Sequence, residues 1–142
     1  MEAQLNRRTL FPAALAALAL IAAGCGDDNG GETTEEAAAT PQEAISEIGA
    51  VRQGLNQGLA AYKSGDAERA DQLIGDAYLE HFEIVEGPLE EADPELNEEL
   101  EELIATEIRD EIKAGAPAPE VEALVKEAQN GLDEAEAALG KA

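Results

Sequence analysis

Carboxylates dominate the middle of this chain, and crowded carboxylate oxygens are the ligands that hard cations prefer. Between Ala70 and Ile108 the sequence has no Lys and no Arg. The same stretch contains fourteen acidic residues: Asp71, Asp76, Glu80, Glu83, Glu86, Glu90, Glu91, Asp93, Glu95, Glu98, Glu99, Glu101, Glu102 and Glu107. Two interpretations follow, a cation site or a solvated acidic face such as adaptation to high salt produces.

His81 is the only imidazole, and it falls on an apolar stripe beside Tyr78 and Phe82. A lone His in such a position is typical of a packed, hydrogen-bonded core residue. The spacing Glu80-His81-x-Glu83 differs from the Glu-x-x-His of di-iron bundles, so a ferritin-type oxidase centre is disfavoured.

Nucleophilic catalysis requires a nucleophile, a base and an orienting group that converge. Ser46 and Ser64 are the only serines, and Ser64 falls at a predicted helix end, far from an inward-facing His81. Glycine-rich phosphate loops are absent from the sequence. We therefore expect no enzyme activity.

The charge balance also limits the partners. The 142 residues include 32 acidic and 9 basic side chains, for a formal net charge of −23. Nucleic-acid binding depends on clustered Lys and Arg, so we expect that this protein does not bind nucleic acid. The length fits one domain.

The first 24 residues predict a lipoprotein signal peptide. Arg7 and Arg8 precede an apolar run, FPAALAALALIAA, which is too short to span a membrane. Ala22-Ala23-Gly24-Cys25 then resembles the lipobox of bacterial lipoproteins, although Leu is commoner than Ala at the first of these positions. The resemblance implies cleavage before Cys25, lipid on its thiol, and a protein anchored outside the cytoplasm.

Residues 25–40 read as a flexible acidic tether, because they are rich in Gly, Asp, Thr and Glu without apolar periodicity. Residues 41–140 predict an all-α, antiparallel four-helix bundle. Apolar residues recur at spacings of three and four, and turn residues separate four such stretches. Thr40, Asp66 and Asp93 are predicted N-caps, and the segment Gly87-Pro88 is predicted to end the second helix.

Two further features depend on this arrangement. Gly54 and Gly58 predict a close approach of a neighbouring helix, since polar residues surround them and argue against a membrane motif. Glu83 and Glu86, placed at the end of the second helix, would oppose the helix dipole and would face the acidic start of the third. A cation bound there would relieve both penalties.

The stretch Leu59–Leu139 resembles the extracytoplasmic helical domain of the high-affinity iron permease family. The matching segments occur in the same order, and the most specific of them surrounds Tyr78-x-x-x-Phe82-Glu83-x-x-Glu86-Gly87. The others are Ala60-Ala61-Tyr62-Lys63-Ser64-Gly65-Asp66, Asp93-Pro94-x-Leu96, Ala114-Gly115-Ala116-Pro117 and Leu132-Asp133-x-Ala135-Glu136. The spanning helices and the Arg-Glu-x-x-Glu iron motif of the permeases are missing.

The resemblance implies a capture or sensor domain held by lipid, with iron or another divalent cation as its ligand. It implies that Glu83 and Glu86 contact the metal, with Glu80, His81 and Asp93 as secondary ligands. An iron permease or another envelope protein would be the partner. The alternative is a non-catalytic structural or interaction module of the cell envelope, whose acidic surface keeps it in solution or docks a basic partner.

Overall fold

The computed structural model describes residues 39–142, and this part of the chain is an all-α four-helix bundle without strands. Helix α1 is Pro41–Lys63, α2 covers residues 67–92, α3 covers residues 94–114 and α4 is Ala118–Leu139. The predicted fold class is confirmed. The predicted signal peptide, Cys25 and nearly all of the tether lie outside the described residues.

The helix starts form as their sequences predict. The Oγ1 atom of Thr40 accepts a hydrogen bond from the Glu43 amide (3.3 Å), and Glu43 Oε2 accepts one from the Thr40 amide (2.8 Å), which completes a capping box. Asp66 accepts the Arg69 amide at 3.0 Å, and Asp93 accepts the Leu96 amide at 3.2 Å. Each bond satisfies a backbone donor that the first turn of a helix leaves free.

Tight connections make sequential helices antiparallel neighbours. Gly65 follows α1 with a φ of 92°, and Gly115 follows α3 with a φ of 72°, a left-handed conformation that glycine adopts without a Cβ clash. Asp93 alone separates α2 from α3. Helix α1 packs on α2 and α4, and α3 packs on the same two helices.

The prediction that Gly87-Pro88 ends the second helix is wrong. Helix α2 continues to Ala92 and contains Pro88 in its interior. Pro88 removes one backbone hydrogen bond, which costs about 3 kcal/mol in an isolated helix. Val85, Pro88 and Leu89 are buried in the bundle, so tertiary packing offsets the local preference.

Because α2 ends at Ala92, the negative end of its helix dipole lies away from the predicted metal ligands. Glu86 lies six residues before the end of α2, and the dipole acts mainly within the last turn. The last turn instead carries Glu90 and Glu91. The unfavourable interaction with the helix dipole, predicted from the sequence for Glu83 and Glu86, therefore applies to Glu90 and Glu91 instead.

Both helices of the α2–α3 hairpin contain a π-helical stretch, Tyr78–Phe82 in α2 and Glu102–Glu107 in α3. Asn97 contacts Glu90 across the hairpin, and Arg109 contacts Asp71. This antiparallel register places the two π-helical stretches at the same level of the bundle. Such stretches are rare, and they occur often at functional sites.

The core is aliphatic apart from one aromatic residue. Its largest fully buried side chains include Phe82, Ile48, Leu55, Ile104 and Leu132. Every residue of this core belongs to one compact unit that comprises the described residues 39–142. A fragment of residues 34–142 therefore contains all the core that the structure describes and is expected to fold on its own.

The close approach predicted at Gly54 and Gly58 is confirmed. A Cβ atom on Gly58 would lie 2.5 Å from Ile74 Cγ1, and one on Gly54 would overlap the Ala77 side chain. Helix α1 therefore packs directly against α2 at Gly54 and Gly58. Only glycine allows this approach, because any other residue would place a Cβ atom in the space that α2 side chains occupy.

Candidate cation-binding site

Glu86 is at the centre of the acidic hairpin. Its side chain is half-buried on α2, and its Oε1 accepts a 2.8 Å hydrogen bond from the Tyr78 hydroxyl. Burial raises the pKa of Glu86, the Tyr78 bond lowers it, and the charges of Glu101 on α3 and Glu83 on α2 raise it further. The two primary predicted ligands, Glu83 and Glu86, thus lie about one turn apart on α2, close enough for the charge of one to act on the other.

Tyr78 fixes the position of the Glu86 carboxylate. Its ring stacks on buried Phe82, with ring centroids 5.9 Å apart. Burial is the main cause that raises the pKa of the Tyr78 hydroxyl, and the hydrogen bond to Glu86 raises it further. The hydroxyl therefore stays protonated and donates. One Glu86 oxygen is therefore held by the protein, and the other has no assigned partner among the described residues.

A hollow lies where α2 meets α3. It has a volume of about 390 Å³, and it is lined by Glu90, Pro94, Glu95, Asn97, Glu98 and Glu101. The Asn97 side chain is buried, and its Nδ2 donates a 3.3 Å bond to Glu90 Oε2. Its Oδ1 is buried without a hydrogen-bond partner among the described residues, which is uncommon for a polar atom in a protein interior.

The secondary predicted ligands are placed differently. Glu80 is exposed on α2. Asp93 is engaged at the N-terminus of α3, where it accepts the Leu96 amide. His81 Nδ1 lies 2.7 Å from Glu47 Oε2 on α1, so its partner is a carboxylate of a different helix. The prediction of a hydrogen-bonded His81 is confirmed, but the side chain is 34% exposed and not fully packed.

Within the described residues 39–142, the part of the hairpin between Asp76 and Glu107 lacks both a cluster that could hold a metal ion and ion pairs with Lys or Arg. Within residues 39–142, no three or more His, Cys, Asp or Glu side chains converge in a geometry that could hold a metal ion. In the same residues, no carboxylate between Asp76 and Glu107 forms an ion pair with Lys or Arg. The negative charge of this region is therefore without a counter-charge from the described protein, and its oxygens are not gathered around a point.

Sequence reasoning missed Glu101, Asn97 and Glu47 as neighbours of the predicted ligands. The first two could have been found from the hairpin register, because Asn97 lies opposite Glu90 and Glu101 lies one turn further along α3. That register depends on α2 running to Ala92, and a helix ended at Gly87 hides it. The Glu47–His81 pair joins α1 to α2, and no local pattern signals it.

Comparison with models of known protein families, with curated proteins and with solved structures gives no match to this chain. Among the helices of residues 39–142, none has both the length and the apolar character needed to cross a membrane.

Proposed function

We propose that this protein is a lipid-anchored extracytoplasmic module that binds or relays a metal cation, iron above all, through the acidic α2–α3 hairpin. It acts by binding and not by catalysis. Lipid on Cys25 would hold it to the membrane, and residues 25–40 would separate the bundle from the lipid surface. A permease or another envelope protein would take over the bound metal.

One observation carries this proposal: Glu86 is half-buried between the charges of Glu83 and Glu101, and no basic side chain of the described residues pairs with any of them. Like charges held close together repel each other, and partial burial strengthens the effect. A bound cation would replace this repulsion with attraction. The carboxylates would then be stabilised without a change of fold.

The available oxygens suit a hard cation. Carboxylates and amide carbonyls are the donors that such ions prefer, and the hairpin offers Glu83, Glu86 and Glu101. Asn97 Oδ1, which has no hydrogen-bond partner among the described residues, belongs to the hollow that Glu101 also lines. Glu83 and Glu101 are exposed, so their side chains can rotate towards an ion. Water would complete the coordination. Such a site exchanges its metal readily, which fits capture and transfer better than storage.

Iron is preferred over other hard cations because of the resemblance around Tyr78-x-x-x-Phe82-Glu83-x-x-Glu86-Gly87. The π-helical stretch Tyr78–Phe82 gives independent support for a site here, since it falls on the same residues. The proposed ligand Glu83 follows directly after it on α2, and Glu86 lies about one turn further along the helix.

Calorimetric titration of the 34–142 fragment with ferrous, ferric, manganese, copper and calcium ions tests the proposal. We expect saturable binding of iron, and loss of that binding in Glu83→Gln/Glu86→Gln. Glu68→Gln/Glu111→Gln removes the same charge from exposed positions outside the hairpin site and should bind as the parent does. Binding that survives in the hairpin variant removes the proposed site. No response to any ion leaves the alternative, an interaction module.

The anchor needs its own test, in cells that process lipoproteins. Labelled palmitate should enter the full-length protein, and Cys25→Ser should abolish the label because the thiol is the acceptor. A mature protein whose first residue is other than Cys25 would contradict the lipoprotein assignment and leave the bundle unaffected.

A further inference from the structure

A separate groove runs between α3 and α4. It has a volume of about 960 Å³, and five glutamates of α3 and two of α4 line it. Neither Lys nor Arg contributes to its lining. No ion pair among the described residues involves any of these seven glutamates. The groove therefore has a concentrated negative charge that the described bundle leaves uncompensated.

The groove also has an apolar floor, which a solvated acidic face does not need. Leu96, Leu100 and Leu103 line it, at spacings of four and three along α3. Leu96 and Leu103 retain 9% and 8% of their exposure, so their edges reach the surface of the groove. Gly131 on α4 packs directly against Leu100, since a Cβ there would lie 2.7 Å from Leu100 Cδ2. Leu100 is therefore covered at 1% exposure, and the edges of Leu96 and Leu103 are the apolar surface that the groove presents.

An apolar floor between two rows of carboxylates is complementary to one kind of ligand. A small cation would use the carboxylates and leave the leucine edges unused. A helix with Lys or Arg on its flanks and apolar residues at i, i+4 and i+7 would use both, in the manner of helix-in-groove recognition. The α3 side of the groove runs from residue 95 to residue 107, about 18 Å, which matches about three helical turns.

We propose that this groove binds a basic amphipathic helix from another protein. The proposal goes beyond cation binding at the α2–α3 hairpin and does not depend on it. The net charge of −23 would attract such a segment over a distance. The leucine edges then select an ordered apolar stripe, and Glu98, Glu102, Glu127 and Glu134 pair with the basic flanks.

The probe is a labelled peptide of Lys and Leu, about 14 residues long, with Leu at i, i+4 and i+7. Its control is an isomer of the same composition in scrambled order. Fluorescence anisotropy with the 34–142 fragment should give binding of the patterned peptide at least about tenfold tighter than that of the isomer. Raising NaCl from about 50 to about 500 mM should weaken binding by about tenfold or more, because salt screens charge pairs at a surface. Equal affinity for the two peptides overturns the proposal, since charge alone would then explain binding.

A steric block tests the location without changing the charge. Asn130 is exposed and lines the groove, so Asn130→Trp should fill it and weaken binding by about tenfold while the circular-dichroism melt stays unchanged. Asn56→Trp makes the same substitution at an exposed position of α1 and should bind as the parent does. Unchanged or tighter binding in Asn130→Trp, or equal weakening in both variants, places the peptide elsewhere and overturns the proposal. Iron titration of Asn130→Trp should match the parent, which keeps the two sites distinguishable.

Discussion

The Tyr78 hydroxyl donates a 2.8 Å hydrogen bond to Glu86, eight residues further along the same helix. In a regular α-helix, eight residues turn through about 800°, which leaves two side chains about 80° apart. The π-helical stretch Tyr78–Phe82 inserts one extra residue into the helical repeat. The spacing of eight then acts as an α-helical spacing of seven, about 20° from alignment. The inserted residue is what puts Tyr78 and Glu86 on one face.

Removing the Tyr78 hydroxyl should loosen this face. Tyr78→Phe keeps the ring that stacks on Phe82 and removes only the hydrogen bond to Glu86, so we expect the free energy of unfolding to fall by about 1 kcal/mol. The pKa of Glu86 should rise further, since the hydroxyl is the group that holds it down. Urea unfolding and NMR titration of the Glu86 carboxyl measure the two effects.

Tyr62→Phe is the matched control for that change. Tyr62 donates a 2.6 Å hydrogen bond to the Ala116 carbonyl, far from Glu86 along the chain. Its loss should destabilise the bundle by a similar amount and leave the Glu86 titration as it is. A Glu86 titration that is the same in Tyr78→Phe as in the parent would contradict the assigned hydrogen bond.

The stability of the bundle should depend on pH through Glu86. Burial and nearby charge raise its pKa above the ordinary value of 4.5. A carboxyl group with a higher pKa in the folded state holds its proton more tightly there, so its stabilising contribution is complete below pH 4.5 and is lost as the pH rises through the folded pKa. Urea unfolding should therefore give a higher free energy just above pH 4.5 than at pH 7.

Glu86→Gln should flatten that part of the pH curve, because glutamine does not titrate. Glu111→Gln, on an exposed part of α3, should leave the curve as in the parent. An unaltered slope in Glu86→Gln would assign the pH dependence to other carboxylates.

Two glycines of α1 should respond in opposite directions to the same substitution. A Cβ on Gly58 would lie 2.5 Å from Ile74 Cγ1, whereas one on Gly49 has nothing within 4 Å. Gly58→Ala should lower the free energy of unfolding by about 1–3 kcal/mol through overpacking. Gly49→Ala should raise it by about 0.5–1 kcal/mol, since alanine favours the helix. Thermal melts would measure both, and destabilisation by Gly49→Ala would show that the assigned space is occupied.

Local chemistry made the helix starts and the core predictable. Thr40, Asp66 and Asp93 each cap the helix that follows within three residues, so the signal and its outcome share one short segment. The apolar faces of α3 and α4 are buried as their spacing predicts, because the period of the helix determines them.

The features that the sequence did not predict depend on packing between residues that are far apart in the chain. Pro88 stays inside α2 because its neighbours are buried by other helices, which no local rule contains. The π-helical stretches change which residues share a face, so Glu86 aligns with Tyr78 instead of following the regular period. The carboxylate that Glu86 faces, Glu101, comes from a register that only the full length of α2 establishes.

Asp71 should give the opposite pH dependence from Glu86. Arg109 Nε donates it a 2.7 Å hydrogen bond, and this bond is the main reason that its pKa lies below the ordinary 3.8. The contribution of Asp71 to the free energy of unfolding is therefore complete above pH 3.8 and is lost as the pH falls through the lowered pKa. Asp71→Asn should cost about 1 kcal/mol at pH 7, a value limited by partial exposure of the pair. The cost should shrink steadily in urea unfolding below pH 3.8, and Asp76→Asn, exposed on the same helix, should show no such trend. A cost for Asp71→Asn that is constant with pH would mean that Arg109 stabilises the bundle by packing and not through this charge.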